Sequence, residues 1–264
     1  MELNTTQMLA EKFDGIGWVT FNNPERRNAI TIAMQQALPV IMEDFAADPE
    51  VRVVVLKGAG DKAFVSGADI SEFGTRRASP EAMEETGRIG RRSNESYAAL
   101  GKPIIAMIRG FCLGGGLLTA LKADLRVASE DSQFGIPAVR LGVGYGWDNV
   151  RAVVDVIGAT HAREMLLTGD RFDAETALRW GLIHRVVPVG ELENHVRGLA
   201  RTIASNAPLT VKTIRAAIDE GLKDPGSRDL AMVQAMADAA NNSQDFTEGR
   251  GAFLEKRRPA FTGQ

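Results

Sequence analysis

The chain is poor in the features that mark several protein classes. One cysteine, Cys112, among 264 residues leaves no internal disulfide to build, so a disulfide-stapled secreted scaffold is excluded. No apolar run approaches the roughly 18 residues that a membrane helix needs. Lysine and arginine do not outnumber aspartate and glutamate, and the formal charge of -3 supplies no global basic field for nucleic acid. Met1 to Glu11 is rich in Asn and Thr and has neither a basic segment nor an apolar core, so no signal peptide is expected there. The three histidines show no metal-ligand spacing, and no metal is expected. No repeat or low-complexity tract appears. A soluble cytoplasmic protein of ordinary composition is the expectation, and 264 residues suit one large domain or a domain with an appendage.

Glycine is what the chain has in clusters. Around them, apolar patterning predicts a hairpin over Ala10 to Asn22, turning at Asp14-Gly15. A helix follows over Ile30 to Phe45, then strands at Val51–Leu56, Pro103–Ile108 and Leu125–Ala128. A loop over Phe64 to Phe73 feeds a short helix near Asp69, and Pro80 to Leu100 reads as a helix. From Ala159 the pattern is helical, except for a strand at Ile183–Val187. The fold class read from this order is α/β, with a core over 1–200 and a helical tail over 201–264.

The first glycine cluster is Ala63-Phe64-Val65-Ser66-Gly67-Ala68-Asp69-Ile70. Asp69 suits an N-cap, and the N–H of Ala68 then stays free for a ligand oxygen or belongs to an ordinary capped loop. The second is Gly110-Phe111-Cys112-Leu113-Gly114-Gly115-Gly116. It fits neither a phosphate-binding Gly-Lys-Ser/Thr loop nor a dinucleotide fingerprint. Its glycines suit close ligand approach or close helix–strand packing. Two such turns together can aim two backbone N–H groups at one oxygen, the geometry of an oxyanion hole.

Taken together, these segments resemble the crotonase (enoyl-CoA hydratase/isomerase) superfamily. Asn22-Asn23-Pro24-Glu25 with Asn28-Ala29, Phe134-Gly135 with Pro137, Leu141-Gly142, Ala162 to Gly169, Ala177 to Ile183 and Gly249 to Arg258 extend the resemblance over nearly the whole chain. It implies a spiral of ββα units, a C-terminal helical region for trimerisation, and assembly as a homotrimer or dimer of trimers. It also implies an acyl-CoA thioester as ligand, with coenzyme A as part of the substrate and no prosthetic group. Carried across, the oxyanion donors are Ala68 and Gly115. Arg27, Ser66, Asp69, Ile70, Ser71, Gly114, Phe253 and Lys256 would border the coenzyme, and the variable stretch Thr75 to Arg92 would cover the acyl pocket. Nucleic acid and membrane are not expected partners.

The chain departs from the family where hydratases carry two glutamates: those positions hold Leu118 and Ala138. Neither side chain exchanges a proton, and isomerases that keep one glutamate are not matched either. Leu118 and Ala138, with Gly144 and Trp147, are expected to line the substrate pocket. Tyr145 falls where decarboxylating members place a tyrosine. Asp148 is the nearest carboxylate, two positions beyond the family's aspartate, where this chain has Gly146. The bland readings stay open: Asp148 caps a helix with Asn149, Tyr145 packs its ring, and Ser66 bonds the loop backbone. The expectation is an acyl-CoA enzyme of atypical reaction. A decarboxylase or other lyase using Tyr145, and a non-catalytic acyl-CoA binding protein, are its alternatives.

Overall fold

The computed structural model describes residues 3–76 and 78–264; the side chains of residues 75 and 76 are also left aside. Arg77, of the Arg76-Arg77 pair and the Thr75–Arg92 stretch, lies outside the described residues. The chain opens with the hairpin β1 (Met8–Phe13) and β2 (Ile16–Phe21), turning at Asp14 and Gly15, both at positive φ. Helix α1 (Ile32–Ala47) starts two residues later than expected, because Ile30 pairs with Ala68 and Thr31 takes the N-cap, accepting from the Met34 N–H at 3.2 Å.

Three successive units then share one pattern. β3 (Val53–Gly58) leads to β4 (Ala63–Val65) and the helices α2 (Phe73–Arg76) and α3 (Pro80–Ala99). β5 (Ile104–Ile108) leads to β6 (Phe111–Leu113) and α4 (Gly115–Ala120). β7 (Leu125–Ser129) leads to β8 (Gln133–Gly135) and α5 (Trp147–Thr168). Each unit sends its first strand to a six-stranded sheet of order β1-β2-β3-β5-β7-β10 and its second to a four-stranded sheet of order β4-β6-β8-β9. β9 (Phe172–Asp173), α6 (Ala174–Arg179) and β10 (Arg185–Val187) close both sheets. This is the expected ββα spiral. The second strands are three residues each, too short to carry a period, so the sequence reads them as loop and turn. The sequence also recovers α5 only over Ala162–Leu167: Gly158, at φ 70°, breaks the helix and its periodicity.

Two cores flank the large sheet. One fills the space between the sheets and α1, α3, α4 and α5, centred on Phe45, Phe64, Ile104 and Phe134. The other lies under α7 (Leu192–Ala204), whose Leu192, Val196 and Ala200 form one stripe on Trp18, Val55 and Ile105. The tail comprises α8 (Pro208–Leu222), α9 (Leu230–Asn241) and α10 (Gln244–Leu254). Asp124 ties α8 to the sheet, accepting from the Ile104 N–H at 2.7 Å and from Arg215 Nε at 2.9 Å.

A Cβ on Gly116 would lie 2.0 Å from the Val65 carbonyl oxygen, whereas one on Gly144 would meet nothing within 4 Å. Gly116→Ala is therefore expected to cost about 3 kcal/mol or more in chemical denaturation, against about 0.5 kcal/mol or less for Gly144→Ala. At the far end, Arg257 and the Ala260 N–H hold the Glu248 carboxyl down at about 2, well below the ordinary glutamate range. A depressed carboxylate stabilises above its unfolded pKa and loses that contribution as pH falls through the folded value. Amide protection factors at residues 257–262 should fall as pH drops from about 4.5 towards 2, while the sheet amides remain protected.

Candidate active site

The two glycine turns meet backbone to backbone. Gly67 holds φ at +123°; its carbonyl accepts from Ile30 N–H at 2.8 Å, and the Asp69 N–H donates to the Ile30 carbonyl at 2.9 Å. That bridge uses the groups on either side of Ala68 and leaves Ala68's own N–H on the opposite edge. The opposing turn is Gly114, at φ 52° and ψ -120°, whose N–H donates to the Gly135 carbonyl at 2.8 Å. Gly115 begins α4, so its N–H has no acceptor within the helix. A Cβ on Gly115 would stand 3.6 Å from the Ala68 nitrogen, and one on Gly67 would stand 4.0 Å from the Gly115 nitrogen. Among the described residues, neither N–H donates to an acceptor.

The three consecutive glycines thus divide their work. Gly114 supplies a backbone conformation that side chains resist. Gly115 keeps open the space before Ala68. Gly116 packs against Val65. Close packing is therefore observed at Gly116, while Gly115 leaves the room before Ala68 that a ligand reading requires.

Beside the first turn, Asp69 is buried and fully committed. Its carboxylate accepts from the Ser71 N–H at 2.9 Å and hydroxyl at 2.7 Å and faces Arg26 at 3.2 Å. Burial pushes its pKa up, but the Ser71 and Arg26 contacts outweigh this and hold it below the ordinary range. Asp69 is therefore the expected cap. Ser66 donates to the Arg26 carbonyl, as the bland reading held, and Ile70 is exposed.

Arg27 and Arg171 each place a guanidinium 5.2 Å from the centre of the Phe111 ring, close enough for cation–π attraction. Arg27 also lines a cavity of about 370 Å3 with Lys62 and Asn28. Arg171 and Lys62 escaped the sequence reading. No local pattern marks either; Arg171 reaches Arg27 only because β6 and β9 flank β8.

At the other end, Leu118, Ala138 and Tyr145 are half-buried and pack on one core. Burial pushes the Tyr145 phenol up to about 12, so it is neutral at physiological pH. The intervening turn is closed by Gly142 and Val143, whose N–H groups donate to the Ala138 carbonyl. Asp148 is not the helix cap. Gly146 takes that position, and Asp148 is exposed in the first turn of α5 because the helix begins at Trp147. Gly144 is exposed, and Trp147 is 71% exposed, with Arg151 6.0 Å from its ring. Phe253 and Lys256 are exposed at the end of α10, on the tail.

Known proteins agree with this architecture. The family model for enoyl-CoA hydratase/isomerase matches residues 11–264. A short-chain-enoyl-CoA hydratase of Clostridium acetobutylicum is 34% identical, covering 98% of this chain and 97% of its own. An (E)-benzylidenesuccinyl-CoA hydratase of Thauera aromatica is 35% identical over 94% of this chain and 96% of its own. The crystal structure of an enoyl-CoA hydratase/carnithine racemase from Magnetospirillum magneticum superposes with a TM-score of 0.93 at 34% identity, covering 99% of this chain and 97% of that one. The chain belongs to the enoyl-CoA hydratase/isomerase family.

Proposed function

We propose that the protein is an acyl-CoA enzyme that stabilises a thioester enolate between the N–H groups of Ala68 and Gly115. The observation carrying this reading is the contact of the two turns, with both N–H groups lacking acceptors among the described residues. A negative oxygen seated there gains two charge-assisted hydrogen bonds, and a neutral carbonyl gains less, so the preference grows as the enolate forms. Coenzyme A extends past Ile70 and Ser71 towards Arg27, with Arg171 and Lys62 as further cations for its phosphates. The acyl group lies towards Leu118, Ala138, Gly144, Tyr145 and Trp147.

Among reactions that pass through an enolate, one specific observation favours carboxylate loss. Leu118 and Ala138 offer no base for α-proton removal, and Tyr145, which packs on the same core, stays a neutral hydrogen-bond donor. In a malonyl-type thioester the bond between Cα and the carboxylate breaks, carbon dioxide leaves, and the electron pair becomes the enolate. No base is needed, and Cα then takes one proton. Asp148, exposed on α5, has no part in this reading.

The tail supports assembly as a homotrimer or a dimer of trimers. Ile214, Ile218 and Leu222 recur at one helical face of α8 and are 55%, 60% and 59% exposed, and Leu230 and Phe246 extend the apolar surface. No helix among the described residues is long and apolar enough to cross a membrane, and a cytoplasmic location accords with the single, buried cysteine.

Purified protein should release carbon dioxide from a malonyl-type CoA thioester and leave enoyl- and dienoyl-CoA unhydrated. Hydration without carbon dioxide release overturns the decarboxylation reading, and tight binding without turnover of any thioester makes the protein a binder. Gly115→Ala should lower kcat/KM about 100- to 1000-fold while unfolding at nearly the wild-type denaturant concentration. Tyr145→Phe should lower kcat about 100-fold with KM little changed. The wild-type pH–rate profile should show no tyrosine ionisation below about pH 11.

A further inference from the structure

The face of the large sheet beneath α7 is arranged in rows. Trp18 pairs with Val55 and Thr20 with Lys57 across β2 and β3; Val55 pairs with Ile105 and Lys57 with Met107 across β3 and β5. The inner rows are apolar and sealed by Leu192, Val196 and Ala200. At the carboxyl ends of the strands the same face turns polar. Thr20, Lys57 and, two residues beyond Met107, Arg109 border a cavity of about 300 Å3 that Val189, Leu192 and Glu193 close from the helix side.

The cations of this cavity lack partners of opposite charge. Lys57 Nζ lies 5.3 Å from the centre of the Trp18 ring, which carries the Arg197 guanidinium at 4.6 Å. The Nε of Arg109 is buried and has no hydrogen-bond partner. Among the described residues, neither Lys57 nor Arg109 forms an ion pair. The two rim carboxylates, Glu11 and Glu193, are exposed, and Glu193 is held by Arg197 at 2.6 Å. Thr20 adds a hydroxyl on a residue only 5% exposed. A guanidinium with a buried nitrogen and a half-buried ammonium are costly without an anion, and together they offer the fork and point charge that oxyanions select. The carboxyl edge of parallel strands is also where α/β sheets hold ligands.

We propose that this cavity is a phosphate-class anion site, formed by Thr20, Lys57 and Arg109 and adjoining the Arg27 and Lys62 cavity, with which it shares Ala59, Gly60 and Ala63 as a wall. It does not depend on the catalytic reading. Thermal unfolding with inorganic phosphate tests it, against sodium chloride at equal ionic strength. Phosphate should raise the Tm where chloride does not. Lys57→Gln should weaken the apparent affinity about tenfold or more, whereas Arg27→Gln and Arg171→Gln should leave the shift intact. A shift that survives Lys57→Gln, or disappears in Arg27→Gln, overturns the proposal, the latter because the ion then sits with the Phe111 pair. Because Lys57→Gln can weaken the fold, the unaltered protein supplies a second test. Phosphate titration should move the backbone amide resonances of Lys57, Gly58, Arg109 and Leu192, and saturable changes confined to other residues overturn the site.

Discussion

The structure depends on one close approach: the backbone of the first glycine turn lies directly on that of the second. Val65 ends β4 with its carbonyl against Gly116, and Gly67 lies against Gly114 and Gly115. β4 and β6 pair only at Ala63 with Phe111 and Val65 with Cys112; β4 then leaves the sheet, while β6 stays paired with β8 through Leu113. Past that point their N–H groups are no longer spent on each other. A side chain at Gly116 would push the strands apart, and with them the turns. Packing and the site are therefore one constraint. Gly116 sets the spacing between the turns that carry Ala68 and Gly115, the donors of the proposed site.

Charge is handled differently on the two sides of this junction. Asp69, the carboxylate nearest the turn, is neutralised by the Ser71 N–H, the Ser71 hydroxyl and Arg26. A free carboxylate there would oppose an anion held by Ala68. Its pairing outweighs the opposing effect of burial and keeps it ionised and turned to structural work, and on the proposed reading this leaves uncharged backbone dipoles facing the ligand. Cations are gathered farther out, at Arg27 and Arg171. On the proposed reading, the reacting end is governed by backbone N–H groups and the distal end by guanidinium groups, a division suited to a thioester carrying phosphates.

Much of this was legible in the sequence, and what was not has identifiable causes. The Asp14-Gly15 hairpin, the Asp69 cap and α8 at Pro208–Leu222 follow from local chemistry, which a single chain states openly. The α/β alternation and the resemblance together gave the spiral. β4, β6 and β8 stayed hidden because three residues cannot show alternation. The Asp148 cap failed because Gly146 has no side chain to announce itself as an N-cap. Arg171 was invisible for a further reason. Its significance comes from β9 lying beside β8, a non-local pairing that residue spacing does not encode.

On the proposed reading, Leu118 and Ala138 change what the site can be asked to do. Positioned proton donors and acceptors contribute about 100- to 10,000-fold each in ordinary acid–base catalysis. A site without them retains the part of catalysis that backbone groups supply, which is stabilisation of an oxygen anion once it forms. Chemistry suited to such a site must generate the enolate by another route, and breaking a carbon–carbon bond does so without a base. The apolar surroundings then act in the same direction. A carboxylate losing water contacts beside Leu118 and Ala138 is destabilised relative to neutral carbon dioxide, whereas the developing enolate keeps its two donors. On that reading, hydrocarbon side chains at these positions do not mark decay. They shift the balance from moving protons to expelling charge from one atom and receiving it at another.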